Sequence, residues 1–397
     1  MQFIQSFQAT PLKLQLRRDL VRTIKRGHAW VYADALRHTP NAAPGTPAIL
    51  LDNRGGREIA RGYYDPRGPI AFRICTTRRG ETLNDTWVQK RMLAALALRR
   101  ALFDPNTTGY RLFNGEGDGL PGLVCDIYGD HAALSLDGEA PEGFWNTAGI
   151  GDWLAEQLGL TCVYAQSRQN QGKVLVGELP QVAIPFLENG MRFTADIVQG
   201  QKTGFFLDQR DNRARIREIA NEKRVLNVFG YTGGFSVAAG LGSAPHVTTV
   251  DLAEPAIQVA SEHWRMNSLA DEKHTALAAD AFEYLADAAK QNRSWDLVIL
   301  DPPSFAPSEQ TVPGAINAYQ KLIAAGAKVT QAGGILAAAS CSSHVDLTTF
   351  LAVCEEGISQ ARRAARTLGV FGQPADHPAP LVMPEFRYLK FILLQLD

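Results

Sequence analysis

Five short runs, apolar almost throughout and separated by helical stretches, constrain this chain more than any other feature: residues 225–229, 247–250, 276–279, 297–300 and 335–339. Each has the length of a strand rather than of a helix, and a strand that is apolar on both sides needs cover on both faces. Strands alternating with helices, such as the stretch 254–266, predict a doubly wound α/β domain with a parallel sheet. A last run, 388–396, predicts a closing strand. In such sheets ligands bind outside the carboxyl ends of the strands, so the residues just after each run are the ones to read for chemistry.

The first run leads into Asn227-Val228-Phe229-Gly230-Tyr231-Thr232-Gly233-Gly234-Phe235, with a helix predicted to start near Gly234. Glycines there let backbone approach a ligand, and a helix start offers free amides. The second run ends at Asp251-Leu252, where a carboxylate can accept hydrogen bonds from two ribose hydroxyls. The alternative is a Gly-rich turn with no ligand. Dehydrogenases share this pattern, so the later strands discriminate. The third run ends at Asp280-Ala281-Phe282, suited to the edge and face of an adenine, and the fourth at Asp301-Pro302-Pro303-Ser304-Phe305. Two prolines fix φ and remove two donors, giving a rigid turn that presents Asp301 and nearby carbonyls. Acidic-Pro-Pro-aromatic turns are typical of methyltransferases acting on nucleic-acid bases, although a purely structural turn has the same letters.

The fifth run is followed by Ser340-Cys341-Ser342-Ser343. Strands four and five are neighbours in this fold, so Cys341 is expected beside Asp301. A thiolate adding to C6 of cytosine makes C5 a carbon nucleophile, which points to Cys341 as nucleophile and Asp301 as the group holding the N3/N4 edge. The competing reading of Cys341 is a small buried core residue. A base in a duplex cannot reach such a pocket, so the target is single-stranded or flipped out.

Upstream, residues 1–75 read as a small β-rich domain, with runs 48–51, 59–64 and 70–75 separated by Gly/Pro turns and one short helix at 19–26. Residues 76–180 read as an α+β connecting domain, opening on a helix at 86–103, and residues 181–397 carry the cofactor fold. Gly115-Glu116-Gly117-Asp118-Gly119 lacks the strand before it and the Lys-Ser/Thr pair after it that a phosphate loop needs, so it reads as a tight turn. With 40 Lys+Arg against 41 Asp+Glu, the net charge of -1 gives no global attraction to nucleic acid. A local patch can still supply it: Arg17, Arg18, Lys25 and Arg26 are candidate RNA contacts, with a solvated helix face as the plain alternative. The five scattered cysteines form no C-x-x-C pair, so neither disulfide nor metal site is expected. The first ten residues lack a secretory pattern, which favours a cytoplasmic location. Oligomeric state is open, a homodimer included.

With these residues assembled, the chain resembles the bacterial large-subunit ribosomal RNA cytosine-5 methyltransferases over nearly its whole length. Arg26-Gly27-His28-Ala29-Trp30-Val31-Tyr32 and Ala60-Arg61-Gly62-Tyr63-Tyr64 are similar to that family's PUA-type RNA-binding domain. Gln201-Lys202-Thr203-Gly204-Phe205-Phe206-Leu207-Asp208-Gln209-Arg210-Asp211-Asn212-Arg213 resembles the segment that precedes its Rossmann-like class I methyltransferase domain. The resemblance implies S-adenosyl-L-methionine as methyl donor and ribosomal RNA as partner. It implies a cofactor pocket drawn from Phe206, Asp208, Arg210, Phe229, Tyr231, Thr232, Gly233, Asp251, Leu252, Asp280, Ala281, Phe282, Asp301 and Pro302. One stretch departs from the family pattern, Gln166-Ser167-Arg168-Gln169-Asn170. Methylation of guanine or of an exocyclic amine, and an RNA-binding protein without catalysis, are the alternative functions.

Overall fold

The computed structural model describes residues 1–7, 10–167, 172–200 and 202–397. Arg168, Gln169 and Asn170 of the divergent stretch, and Gln201, lie outside the described residues. The chain forms two compact units, the first from Met1–Leu187, Thr194–Leu207 and Ala375–Phe386, the second from Glu188–Phe193, Asp208–Pro374 and Arg387–Asp397.

The first unit opens with β1 (Leu12–Gln15), α1 (Val21–Lys25), β2 (Trp30–Tyr32), β3 (Pro47–Leu51), β4 (Glu58–Tyr64) and β5 (Ile70–Thr76), a sheet ordered β1-β3-β4-β5-β2. Leu14, Leu50, Tyr64 and Phe72 fill its core. After α2 (Asp85–Leu102) come β6 (Gly109–Asn114), β7 (Leu123–Tyr128), β8 (His131–Leu136), α3 (Glu139–Phe144), α4 (Thr147–Leu158), β9 (Cys162–Gln166) and β10 (Lys173–Val176). Their sheet is ordered β10-β9-β8-β7-β6. Contrary to the expectation that no strand precedes it, the Gly-Glu-Gly-Asp-Gly run follows β6 directly, as a 3-10 turn ended by Gly119 at φ 70°. Its acids point inward: Glu116 Oε1 accepts from Trp30 Nε1 and Arg73 Nη1, both at 2.6 Å, and Asp118 takes a two-pronged pair from Arg99 at 2.6 and 2.8 Å. A phosphate loop aims amides at a ligand; this turn instead commits its carboxylates to buried arginines. A hairpin of β11 (Ile184–Glu188) and β12 (Met191–Ala195) follows.

The second unit contains α5 (Arg210–Ile219), β13 (Arg224–Val228), α6 (Gly234–Leu241), β14 (His246–Asp251), α7 (Glu254–Met266), β15 (His274–Ala278), α8 (Ala281–Lys290), β16 (Trp295–Leu300), α9 (Val312–Val329), β17 (Thr330–Ser340), α10 (Leu347–Gln360), β18 (Ala365–Phe371) and β19 (Lys390–Leu396). The sheet is ordered β15-β14-β13-β16-β17-β19-β18, parallel through β17, with β19 antiparallel to both neighbours. Alternate residues of the apolar runs serve two cores. Leu226, Val228, Val298, Leu300, Leu336 and Ala338 pack with Leu285, Tyr319 and Phe350 of α8, α9 and α10. Val225, Leu297, Ile299, Ile335 and Ala337 pack with Ile216, Phe235 and Trp264 of α5, α6 and α7. This two-sided cover is why the runs show no polar face. At roughly 25 cal/mol per Å² of buried apolar surface, both layers of helices contribute to holding the sheet, and a polar residue on either face would weaken one of them.

Candidate active site

Every strand that reads as chemistry-bearing delivers its residue to one edge. After β13 the chain turns sharply: Phe229 and Tyr231 adopt φ of 60° and 46°, and Gly233, at φ 78°, precedes α6. Non-glycine residues in the left-handed region carry strain that surrounding contacts must hold. Here the holding contacts are visible. Gly230 N donates to the Val250 carbonyl at 3.0 Å, and Tyr231 N donates to Asp251 Oδ2 at 2.8 Å. Asp251 Oδ1 accepts from Ala253 N at 3.0 Å, so the carboxylate is fixed at the end of β14 with lone pairs left for a ligand.

Asp280 caps α8, its Oδ1 accepting from Phe282 N at 2.9 Å and Glu283 N at 3.0 Å. Ala281 is buried beneath that first turn, and the Phe282 ring meets Phe229 edge-on at 6.4 Å. Leu252 stands 73% exposed next to Asp251. Thr232 is bonded through its carbonyl to His263 Nδ1 at 2.8 Å, while its buried Oγ1 has no hydrogen-bond partner among the described residues. An orphaned hydroxyl, two fixed carboxylates, and an apolar group of Phe229, Leu252 and Phe282 fit a nucleoside-bearing ligand: apolar faces for a base, carboxylates for hydroxyls and an amino group.

Asp301 follows β16, whose last residue, Leu300, pairs with Ala338 of β17, so Cys341 comes two positions beyond Asp301's level on the neighbouring strand. The two following loops are joined by hydroxyls. Ser342 Oγ lies 3.0 Å from Ser304 Oγ and 3.0 Å from the Tyr319 hydroxyl, and accepts from Ala306 N at 3.3 Å. Ser340 Oγ donates to the same Tyr319 oxygen at 3.0 Å. Pro302 is buried and Pro303 exposed, while Cys341 is half-buried. Asp301 Oδ1 accepts from Gln209 Nε2 at 2.9 Å, and Gln209 Oε1 accepts from Asn212 Nδ2 at 2.7 Å, a chain that sets the carboxylate's orientation. Asp208 Oδ2 accepts from the Tyr388 hydroxyl at 2.7 Å, and Arg210 is buried near Asp211 at 3.4 Å. Phe206 belongs to the first unit, where its ring lies 4.3 Å from Lys202 Nζ.

Sequence reading gives no individual role to four residues of this edge: Gln209, Asn212, Tyr319 and Lys390. Lys390 begins β19 and is 3% exposed; its Nζ donates to the carbonyls of Ser342 at 2.6 Å and Tyr388 at 2.7 Å. Burial lowers its pKa to about 8. The one signal for it in the sequence is a lysine leading the apolar run Phe391-Ile392-Leu393-Leu394. In the first unit, Arg17, Arg18, Lys25 and Arg26 are all exposed around the short α1, and Arg18 faces Asp34 at 3.4 Å. Among the described residues no helix is long and apolar enough to cross a membrane.

Residues 147–361 match the family model of the S-adenosylmethionine-dependent methyltransferases, and residues 14–77 match that of a PUA-like domain. The chain is 37% identical to a ribosomal RNA large subunit methyltransferase of Deinococcus radiodurans over 98% of each chain. It is 35% identical to ribosomal RNA large subunit methyltransferase I of Photobacterium profundum, over 93% of this chain and 95% of that one. Two solved structures superpose with a TM-score of 0.84 at 25% identity: a protein assigned as a SAM-dependent methyltransferase from Streptococcus mutans, covering 97% of this chain and 100% of that one, and a methyltransferase assignment complexed with SAH, covering 98% and 100%.

Proposed function

Because the chain belongs to the S-adenosylmethionine-dependent methyltransferase family that includes the large-subunit ribosomal RNA methyltransferases, we propose that it methylates C5 of a cytosine in large-subunit ribosomal RNA, with Cys341 as nucleophile. The observation that carries this reading is the Ser304–Ser342 contact at 3.0 Å, which ties the loop of Asp301 to the loop of Cys341. The cofactor would be held by the Phe229–Gly233 turn, Asp251, Leu252, Asp280 and Phe282, and when bound it supplies an electrophilic methyl group.

The remaining chemistry belongs to the protein. Cytosine C5 is a poor nucleophile because its electrons are shared around an aromatic ring. The Cys341 thiolate forms a bond to C6, which breaks the C5–C6 double bond and leaves C5 electron-rich. Charge that develops at N3 is met by Asp301, one oxygen taking the N4 hydrogen bond while a proton is shared with N3. Gln209 keeps that carboxyl group turned to the base. Once C5 is methylated, it loses its proton to water, the C5–C6 double bond re-forms, and the C6–S bond breaks with its electron pair returning to Cys341. The exposed Arg17, Arg18, Lys25 and Arg26 serve as phosphate contacts for the RNA.

Nucleoside mass spectrometry of unmodified ribosomal RNA treated with enzyme and S-adenosylmethionine tests the reading. Wild-type protein is expected to produce 5-methylcytidine and Cys341→Ala at least ~10³-fold less. A methylated guanosine or an N4-methylated product, or an unchanged yield from the variant, removes the cytosine-5 assignment. No transfer by the wild-type chain favours an RNA-binding role.

A further inference from the structure

Lys390 is placed where charge and burial conflict. In the antiparallel pair of β17 and β19 it lies directly opposite Ser340, so both side chains occupy one face of the sheet. An ammonium that is 3% exposed is costly unless acceptors or an opposite charge compensate it. Two backbone carbonyls, those of Ser342 and Tyr388, engage two of its three donors. Both carbonyls flank the site: one follows Cys341 immediately in the chain, and the other precedes β19. The charges that act on Lys390 are Cys341 when ionised and Asp346, the cap of α10, whose Oδ1 accepts from Thr349 N at 2.7 Å. From α9, Tyr319 completes the surroundings with its hydroxyl bonded to Ser340 and Ser342; burial raises its pKa, so it stays neutral.

We propose that Lys390 is a positioning residue for methyl transfer, its ammonium held by the Ser342 and Tyr388 carbonyls as the counter-charge that keeps Cys341 a thiolate. The inference rests on reading Cys341 as the nucleophile. Ionisation releases the Cys341 proton to water while Lys390 keeps its three protons. When the S–C6 bond forms, the negative charge moves onto the pyrimidine; when that bond breaks, the electron pair returns to sulfur beside the same cation. Burial pulls the Lys390 pKa down while the charges of Cys341 and Asp346 push it up, and at the resulting value of about 8 the ammonium is mostly protonated near pH 7. The pair therefore holds its charge where the ammonium alone would begin to lose it.

Iodoacetamide labelling of the full chain, without RNA or cofactor, reads this pairing directly. Cys75, Cys125, Cys162 and Cys354 are buried and Cys341 is not, so peptide mass spectrometry follows one sulfur and uses the others as a check of folding. The wild-type alkylation rate is expected to rise with a midpoint below about pH 7.5, against ~8.5 for an ordinary cysteine. Lys390→Met should move that midpoint up by at least one unit, slowing labelling roughly tenfold at pH 7, and Lys390→Arg should stay near wild type. A wild-type midpoint at or above about 7.5, or one that Lys390→Met leaves in place, overturns the proposal. If Lys390→Met labels all five cysteines and is therefore unfolded, the wild-type midpoint alone decides. Since labelling needs no methyl transfer, an ordinary thiol would leave the product analysis standing, and a failed product analysis would not alter the labelling profile.

Discussion

A Cβ added to Gly230 would sit 2.5 Å from Thr249 Cγ2 and 3.0 Å from Asn227 Nδ2. Neither neighbour can withdraw freely: Thr249 Oγ1 lies 2.6 Å from Ser236 Oγ and 2.7 Å from His274 Nε2, and Asn227 Nδ2 donates to Ser236 at 2.9 Å. Gly230→Ala is therefore expected to cost about 1–3 kcal/mol by overpacking and to loosen the turn that meets the cofactor. Thermal melts check this: a lower Tm, and a smaller stabilisation by added S-adenosylmethionine, are expected, and an unchanged ligand shift would detach the turn from cofactor binding. The glycine itself was readable from its place after the first apolar run. Its reason was not, since the clash comes from a strand that becomes a neighbour only once β13 and β14 pair. The contacts of Gln209 and Lys390 were hidden likewise, because Gln209 and Asp301 are 92 positions apart and Lys390 and Ser342 are 48 apart.

Among elements, α7 was the most legible: its apolar spacing predicts a helix over 254–266, and Glu254–Met266 is the helix observed. β18 escaped the reading because its residues are mostly exposed and Thr367 and Gly369 flank an irregularity in its pairing with β19. What α7 does for the site also came only with the structure. His263 Nδ1 donates to the Thr232 carbonyl in the cofactor turn, and burial lowers its pKa to about 4; His274, stacked on Trp264 at 4.5 Å, is lowered to about 4 as well. Both folded-state values lie below the unfolded ~6.5, so folding favours the neutral rings. The stability they contribute is complete above about pH 6.5 and is lost as pH falls toward 4, on the order of 3 kcal/mol for His263. Tm measured from pH 8 to 4 should fall across that window, and His263→Gln should flatten the fall. Parallel profiles for the two proteins would rule out His263 as a source.

For the whole molecule, a net charge of -1 means that affinity for RNA must come from where the charges lie rather than from their sum. Replacing Arg17, Arg18, Lys25 and Arg26 together by alanine is expected to weaken RNA binding and to lower the salt dependence of log K by about 0.7–0.9 for each phosphate that is no longer neutralised. Titrations at several salt concentrations measure both, and an unaltered slope would move the RNA interface elsewhere. Stability should hardly change, because all four side chains are exposed.

The alternation of strands and helices from β13 to β17, the two-faced burial of the sheet, and the strand ends that carry Asp251, Asp280, Asp301 and Cys341 follow from sequence alone, because periodicity and turn chemistry act over a few residues. Which side chains hold those groups in place was decided by tertiary structure. Hydrogen bonds such as Gln209 to Asp301, Ser304 to Ser342 and Lys390 to the loop of Cys341 depend on strand order and on a reversed β19, and no local pattern encodes a partner tens of residues away.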